Sequence, residues 1–172
     1  MVVLERLRAD HEAELLRFEL ENRAYFARVI PDRGDAYFAE FSQRHKALLE
    51  FQAAGSDHFH VLVDGAEIVG RVNLVEVVDG SAELGYRIAE SAGGRGLATW
   101  AVQEVAQLAS TAYGLTRLTA VTTVDNVASQ KVLHRAGFTP TGDLQLDGRP
   151  GLSYALELAP VDNPQPRSRP TG

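Results

Sequence analysis

The segment from Glu83 to Ala109 constrains this chain most, because it reads as a strand, a glycine-rich turn and a long amphipathic helix. Gly93, Gly94 and Gly96 fall within four residues and allow a tight turn with exposed amide groups. The helix that begins near Leu97 adds unpaired N–H groups and the positive end of its dipole. Such a turn at a helix N-terminus suits a phosphate or pyrophosphate. The sequence therefore predicts a phosphorylated cofactor.

Composition limits the class of protein to which the chain can belong. The 172 residues, 45% of them hydrophobic, are enough for one well-buried domain. A net charge of −6 argues against nucleic acid as a partner, since phosphate-backbone binding needs a basic face. The absence of cysteine excludes disulfides, thiolate metal sites and a cysteine nucleophile. No apolar run approaches the roughly 18 residues of a spanning helix, so we expect no membrane association. The N-terminus lacks a signal-peptide pattern, so we expect a cytoplasmic location.

Hydrophobic periodicity predicts an alternating order of strands and helices. Strands are expected at 2–7, 58–63, 67–77, 82–89, 117–124, 138–146 and 151–158, and helices at 11–27, 36–54, from 97 onward, and at 126–136. This order predicts a single α/β domain over residues 1–159, with a mixed, mostly antiparallel central sheet flanked by about four helices. Residues 160–172 are rich in proline and are predicted to form a disordered tail.

Three kinds of phosphate site compete for the glycine turn. A nucleotide P-loop needs Lys and then Ser or Thr after its last glycine, but Leu97 and Ala98 follow Gly96 here. A Rossmann fingerprint needs a third glycine where this chain has Thr99. The third possibility combines the turn with two later segments, Val124-Asp125-Asn126-Val127-Ala128-Ser129 and Arg135-Ala136-Gly137-Phe138.

With these three motifs in this order, the chain resembles the GNAT acetyltransferase superfamily, and more narrowly its branch of RimJ/RimL-type ribosomal-protein alanine N-acetyltransferases. The segment FELENRAYF at 18–26 is similar to the first helix of that branch. The resemblance implies a GNAT fold with a splayed cofactor strand, acetyl-CoA as co-substrate and no metal. It also implies transfer of an acetyl group to a primary amine, either a protein N-terminus, such as that of a ribosomal protein, or a small molecule. A homodimer is common among relatives.

The resemblance also assigns site residues. Those expected to contact acetyl-CoA are Tyr86, Arg87, Ile88, Gly93, Gly94, Arg95, Gly96, Leu97, Ala98, Thr99, Asn126 and Ser129. Two of these are expected to act in catalysis: the Ile88 amide stabilises the oxyanion, and the Ser129 hydroxyl hydrogen-bonds the departing sulfur. Gly93 departs from the family pattern, which has Arg or Gln there.

Several roles stay open at the level of sequence. The tyrosine that protonates the departing thiolate in many members of the family is replaced here by Leu133, which cannot donate. The resemblance to the RimL-like branch instead implies a serine, matching Ser129, that hydrogen-bonds the sulfur. The general base is not assigned, with Glu83, Glu21 and Asn22 as the candidates.

Asn126 either caps a helix, a role that Asp125 could also fill, or contacts the cofactor, and the two roles are compatible. His58 and His60 share one side of a strand and are better explained as ordinary strand residues than as metal ligands. The basic residues expected near the cofactor are Arg87, Arg95 and Lys131.

A non-catalytic acyl-CoA-binding module on the same fold is the alternative function.

Overall fold

The structure is a computed structural model that describes residues 1–160. Seven strands form one sheet in the order β1-β2-β3-β4-β5-β7-β6. All neighbours are antiparallel except β4 and β5, which are parallel. Strands β1 to β7 cover Val2–Arg6, His58–Asp64, Glu67–Val78, Ser81–Ile88, Arg117–Thr123, Thr139–Leu146 and Arg149–Glu157. The predicted tail falls, apart from Pro160, outside the described residues.

Within the described residues six α-helices flank the sheet, where the sequence predicts about four. Helices α1 to α6 cover Glu12–Glu21, Arg23–Phe26, Asp35–Ala39, Phe41–Ala54, Leu97–Thr111 and Val127–Arg135. The difference arises because two predicted helices are each broken once, at Asn22 and at Glu40, where ψ is near zero. The Asn22 side-chain amide also donates to the Phe18 carbonyl at 2.9 Å, which is the local competition with helix hydrogen bonds that disfavours Asn inside helices.

The two faces of the sheet carry different helices. Arg71 of β3 and Arg87 of β4 are register partners, and both side chains reach Glu19 of α1. Because side chains alternate along a strand, the adjacent residue Tyr86 faces the opposite side, where its hydroxyl meets Ser129 of α6. Helix α1 and helix α6 therefore cover opposite faces of β4.

The sheet opens between its two parallel strands. Three residue pairs join β4 to β5, and the last of them is Glu83 with Thr119. Beyond that point β4 stays paired with β3 as far as Ile88, while β5 stays paired with β7 as far as Thr123. The two strands diverge into a gap, and the predicted mixed sheet with a splayed strand is confirmed.

A buried ion cluster fixes one side of this gap. Glu19 is only 1% exposed, and its two carboxylate oxygens accept from Arg71 at 3.0 Å and from Arg87 at 2.8 Å. We call Glu19, Arg71 and Arg87 the Glu19 cluster. Burial lowers the pKa of the Arg87 guanidinium, and the nearby Glu19 carboxylate opposes that shift. The cluster holds α1 against β3 and the outer half of β4.

Replacing Glu19→Gln should destabilise the fold strongly, because two buried guanidinium groups would lose their counter-ion. A loss of about 3–5 kcal/mol is expected in the free energy of unfolding, measured by urea denaturation. Glu157→Gln is the matched control, since Glu157 and its partner Arg117 are both exposed and a change within about 0.5 kcal/mol is expected. Equal effects of the two changes would contradict this role for the cluster.

Candidate cofactor and acyl-transfer site

The glycine turn presents backbone amides at the start of α5. Gly94 and Gly96 adopt the left-handed conformation, with φ of 74° and 71°, which favours glycine at both positions. Residues 93–96 are exposed. The Trp100 amide makes the first bond of the helix, to the Gly96 carbonyl, so the amides of residues 97–99 lie ahead of it. The turn therefore has the tight geometry that the sequence predicts, and one of its amides, that of Gly93, is already bonded to the Glu90 carbonyl at 3.2 Å.

The outer half of β4 adds a second row of donors. The Ala89 amide donates to the Val69 carbonyl of β3 at 2.8 Å. Because backbone groups alternate in direction along a strand, those of Arg87 and Ala89 point to β3 and those of Tyr86 and Ile88 point into the gap. The Ile88 amide, predicted to stabilise an oxyanion, therefore faces the space that β5 vacates.

Helix α6 closes the other side of the gap with Asn126 and Ser129. The Asn126 side chain caps the helix, its Oδ1 accepting from the Ser129 amide at 3.2 Å. Asp125 instead pairs with Arg149. Of the two possible caps, the structure shows Asn126 in that role, in which its side-chain oxygen is the acceptor and its side-chain NH2 donor is left for other contacts.

The Ser129 hydroxyl has a partner that sequence reasoning missed. The Tyr86 hydroxyl donates to Ser129 Oγ at 3.0 Å, across 43 residues of sequence. Burial raises the pKa of the Tyr86 phenol, and the bond to Ser129 partly opposes that rise. The sequence indicated both residues, Tyr86 as part of the cofactor strand and Ser129 as a partner for sulfur, but nothing in it indicated that they touch.

The basic residues expected near the cofactor separate into two groups. Arg95 and Lys131 are exposed, Arg95 in the glycine turn and Lys131 on α6. The Arg87 side chain lies on the other face of the sheet within the Glu19 cluster and is 9% exposed. The backbone N–H and C=O of Arg87 point to β3, so neither its side chain nor its backbone polar groups face the gap.

The residues considered as a general base also occupy different places. Glu83 is half-buried at the closed end of the gap, and burial, with a contribution from the Glu76 carboxylate, raises its pKa. Glu21 is exposed and pairs with Arg17. Asn22 is structural: its Oδ1 accepts from the Glu90 amide at 3.0 Å and so ties the end of α1 to the turn that leads into Gly93.

An open cleft lies on the α1 side of the sheet, next to the end of β4. Its volume is about 370 Å³. The residues that line it are Arg17, Glu21, Asn22, Glu67, Ile68, Val69, Ala89, Glu90 and Ser91. Three carboxylates face a single guanidinium there, so the cleft favours a cation. It reaches Ala89, which directly follows Ile88.

The strand histidines lie apart from this site. The His58 ring stacks on Tyr113 with centroids 3.7 Å apart, and His60 Nε2 is 2.6 Å from the Tyr113 hydroxyl. Burial lowers the pKa of His60 to about 4. Among residues 1–160 no group of three His, Asp or Glu side chains is arranged to hold a metal ion.

Asn126→Ala should destabilise the fold by about 1 kcal/mol, because the Ser129 amide would lose its cap. Urea denaturation measures this change in the free energy of unfolding. Asp125→Asn is the control: it lies at the surface and does not cap α6, so a much smaller effect is expected. A larger loss from Asp125→Asn would contradict the assignment of the cap.

Comparison with known proteins bears on this architecture. The chain is 29% identical to the probable N-acetyltransferase YjcK of Bacillus subtilis (strain 168) over 137 residues, 75% of each protein. Its fold matches the ribosomal-protein-S5-alanine acetyltransferase of Vibrio fischeri with a TM-score of 0.85, at 22% identity over 96% of each chain. It also matches Mycobacterium smegmatis RimJ, solved with CoA-disulfide, with a TM-score of 0.82 at 26% identity over 95% of this chain and 84% of that one.

None of the helices within 1–160 is long and apolar enough to cross a bilayer. The family described as Acetyltransferase (GNAT) domain matches residues 2–139, most of the chain. The resemblance predicted from the three motifs is confirmed, and the chain belongs to the GNAT acetyltransferase family.

Proposed function

We propose that this protein transfers the acetyl group of acetyl-CoA to a primary amine by direct attack of the amine on the thioester. The observation that carries the proposal is the gap between β4 and β5, which opens beside the exposed glycine turn. The gap offers a strand edge to an amide-bearing chain, and the turn offers amides to phosphates. Coenzyme A has both features in one molecule, pantetheine next to pyrophosphate.

The residues present fit this cofactor in three places. The amides of residues 94–99 and the positive end of α5 suit the pyrophosphate, whereas the Gly93 amide is already bonded to the Glu90 carbonyl. The backbone groups of Tyr86 and Ile88 suit the pantetheine amides, in the manner of an added strand. The exposed Arg95 guanidinium suits the pyrophosphate or the ribose phosphate. Replacement of the family's Arg or Gln by Gly93 removes a side chain but no backbone amide.

The chemistry needs two charges to be stabilised in turn. When the amine attacks, the thioester oxygen becomes an oxyanion, and the Ile88 amide points into the gap to receive it. When the carbon–sulfur bond breaks, the sulfur leaves as a thiolate and needs a proton. The Ser129 hydroxyl lies across the gap from Ile88's strand and is the donor we assign.

The acidic cleft supports an acceptor that carries positive charge. Glu21 is paired closely with Arg17 and Glu90 more loosely with Arg28, at 3.9 Å, whereas Glu67 forms no ion pair among the described residues. An amine is cationic before reaction and must lose a proton to attack, and carboxylates near the entrance favour its approach. The Vibrio fischeri neighbour, a ribosomal-protein-S5-alanine acetyltransferase, supports a protein N-terminus as one acceptor class.

A cytoplasmic location and a homodimer stay predictions. Light scattering measures whether the protein is a homodimer.

Calorimetry should show that the protein binds acetyl-CoA, and Arg95→Ala should weaken binding by about 10-fold, since it removes a charge-assisted contact. Arg135→Ala, exposed at the end of α6, is the matched control and should leave the affinity unchanged.

Release of free thiol is then measured with a panel of N-terminal peptides, polyamines and small amines. Absence of binding at millimolar acetyl-CoA would contradict the proposal. Binding without thiol release from any acceptor would favour the non-catalytic module.

Ser129→Ala should lower kcat by about 100-fold, because the thiolate would leave without a proton donor. The KM for acetyl-CoA should change little, since the donors of the glycine turn are untouched. Ser42→Ala, at an exposed position of α4, is the control for loss of a hydroxyl. A turnover equal to that of the unaltered protein would exclude Ser129 as the donor.

A further inference from the structure

Tyr86 occupies a position that the assigned reaction has so far used only through its backbone. Its main chain borders the gap, two residues before Ile88. Its side chain turns to the face covered by α6, where it contacts Ser129 at 3.0 Å. The phenol is therefore in direct contact with the Ser129 hydroxyl, to which we assign protonation of the departing sulfur.

The hydrogen-bond pattern leaves one proton of this pair uncommitted. A serine hydroxyl has one hydrogen to donate and two lone pairs that accept. Ser129 Oγ accepts from Tyr86, so its own hydrogen is free to point elsewhere. The Ser129 amide is held by Asn126 at 3.2 Å, which fixes the backbone from which the hydroxyl projects.

The relative acidities of the groups decide what such a pair does. A thiol loses its proton near pKa 8.5 and a phenol near 10, whereas an aliphatic hydroxyl does not titrate in this range. Ser129 alone is thus a poor acid for a thiolate, and a phenol bonded to it is a much closer match. Burial raises the pKa of the Tyr86 phenol and its bond to Ser129 opposes that rise, so the phenol is protonated at neutral pH and is still a stronger acid than an aliphatic hydroxyl.

We propose, resting on the proposed acetyl transfer, that Tyr86 acts through Ser129 as the source of the proton delivered to the coenzyme A sulfur. As the carbon–sulfur bond breaks and its electron pair moves to sulfur, the Ser129 proton passes to sulfur and the Tyr86 proton passes to Ser129 Oγ. Solvent water then reprotonates the resulting phenolate. The hydroxide that this leaves takes up the proton that the acceptor nitrogen loses. Tyr86 is on this account a positioning residue, since it reaches the sulfur only through Ser129.

A double-mutant cycle on the full chain tests the relay. Tyr86→Phe keeps the ring and removes the hydroxyl, and we expect kcat to fall by about 10-fold with the KM for acetyl-CoA within about twofold. Because both hydroxyls serve one path, Tyr86→Phe combined with Ser129→Ala should be no slower than Ser129→Ala alone. Tyr113→Phe is the matched control: it removes a hydroxyl bonded to His60 and should leave kcat unchanged.

The outcomes separate the relay from the reaction itself. Thiol release by the unaltered protein together with a non-additive cycle supports the relay. Losses that multiply, or a Tyr86→Phe variant as fast as the unaltered protein, overturn the relay and leave the acetyltransferase assignment standing. Calorimetry on Tyr86→Phe must show unchanged acetyl-CoA affinity, and a weakened affinity in proportion to kcat would reduce Tyr86 to a structural role. Failure of the unaltered protein to release thiol with every acceptor overturns both.

Discussion

The divergence of β4 from β5 is the constraint on which the rest of this structure depends. Each strand is fully paired on its other side, β4 with β3 as far as Ile88 and β5 with β7 as far as Thr123. Neither strand can therefore move toward the other without breaking an existing ladder. The Glu19 cluster adds to this restraint, because it ties the outer half of β4 to α1 through buried charge. The gap is maintained by interactions on its flanks and does not require a ligand to hold it open.

The same divergence explains why several chemical functions meet in one place. Strand β4 carries backbone donors into the gap, then leads through one short turn to the amides at the start of α5. Helix α6 follows β5 directly and brings Ser129 to the opposite wall. A single parallel pair, with a helix as its crossover, thus places strand edge, helix N-terminus and hydroxyl around one space.

Sequence reasoning recovered the strands well because their signals are local. Alternating apolar residues and the Asp-Gly turns predict the hairpins, and Asp79 and Asp147 do adopt positive φ as such turns require. The helix breaks at Asn22 and Glu40 were missed, because hydrophobic periodicity does not register a local competitor such as the bond from the Asn22 side chain to the Phe18 carbonyl. Contacts that join distant positions were also missed. Glu19 meets Arg87 across 68 residues, and periodicity carries no signal about which charge on one element will face which on another.

The tie between Asn22 and Glu90 has a consequence for how the two halves of the molecule respond to change. One amide side chain fixes the end of α1 and, through the Glu90 nitrogen, the backbone entering the glycine turn. That side chain also lines the acidic cleft. A change of Asn22 in the cleft would therefore also disturb the backbone that enters the glycine turn. Glu67 lines the same cleft without that link, so it offers a more independent position for altering the charge of the cleft.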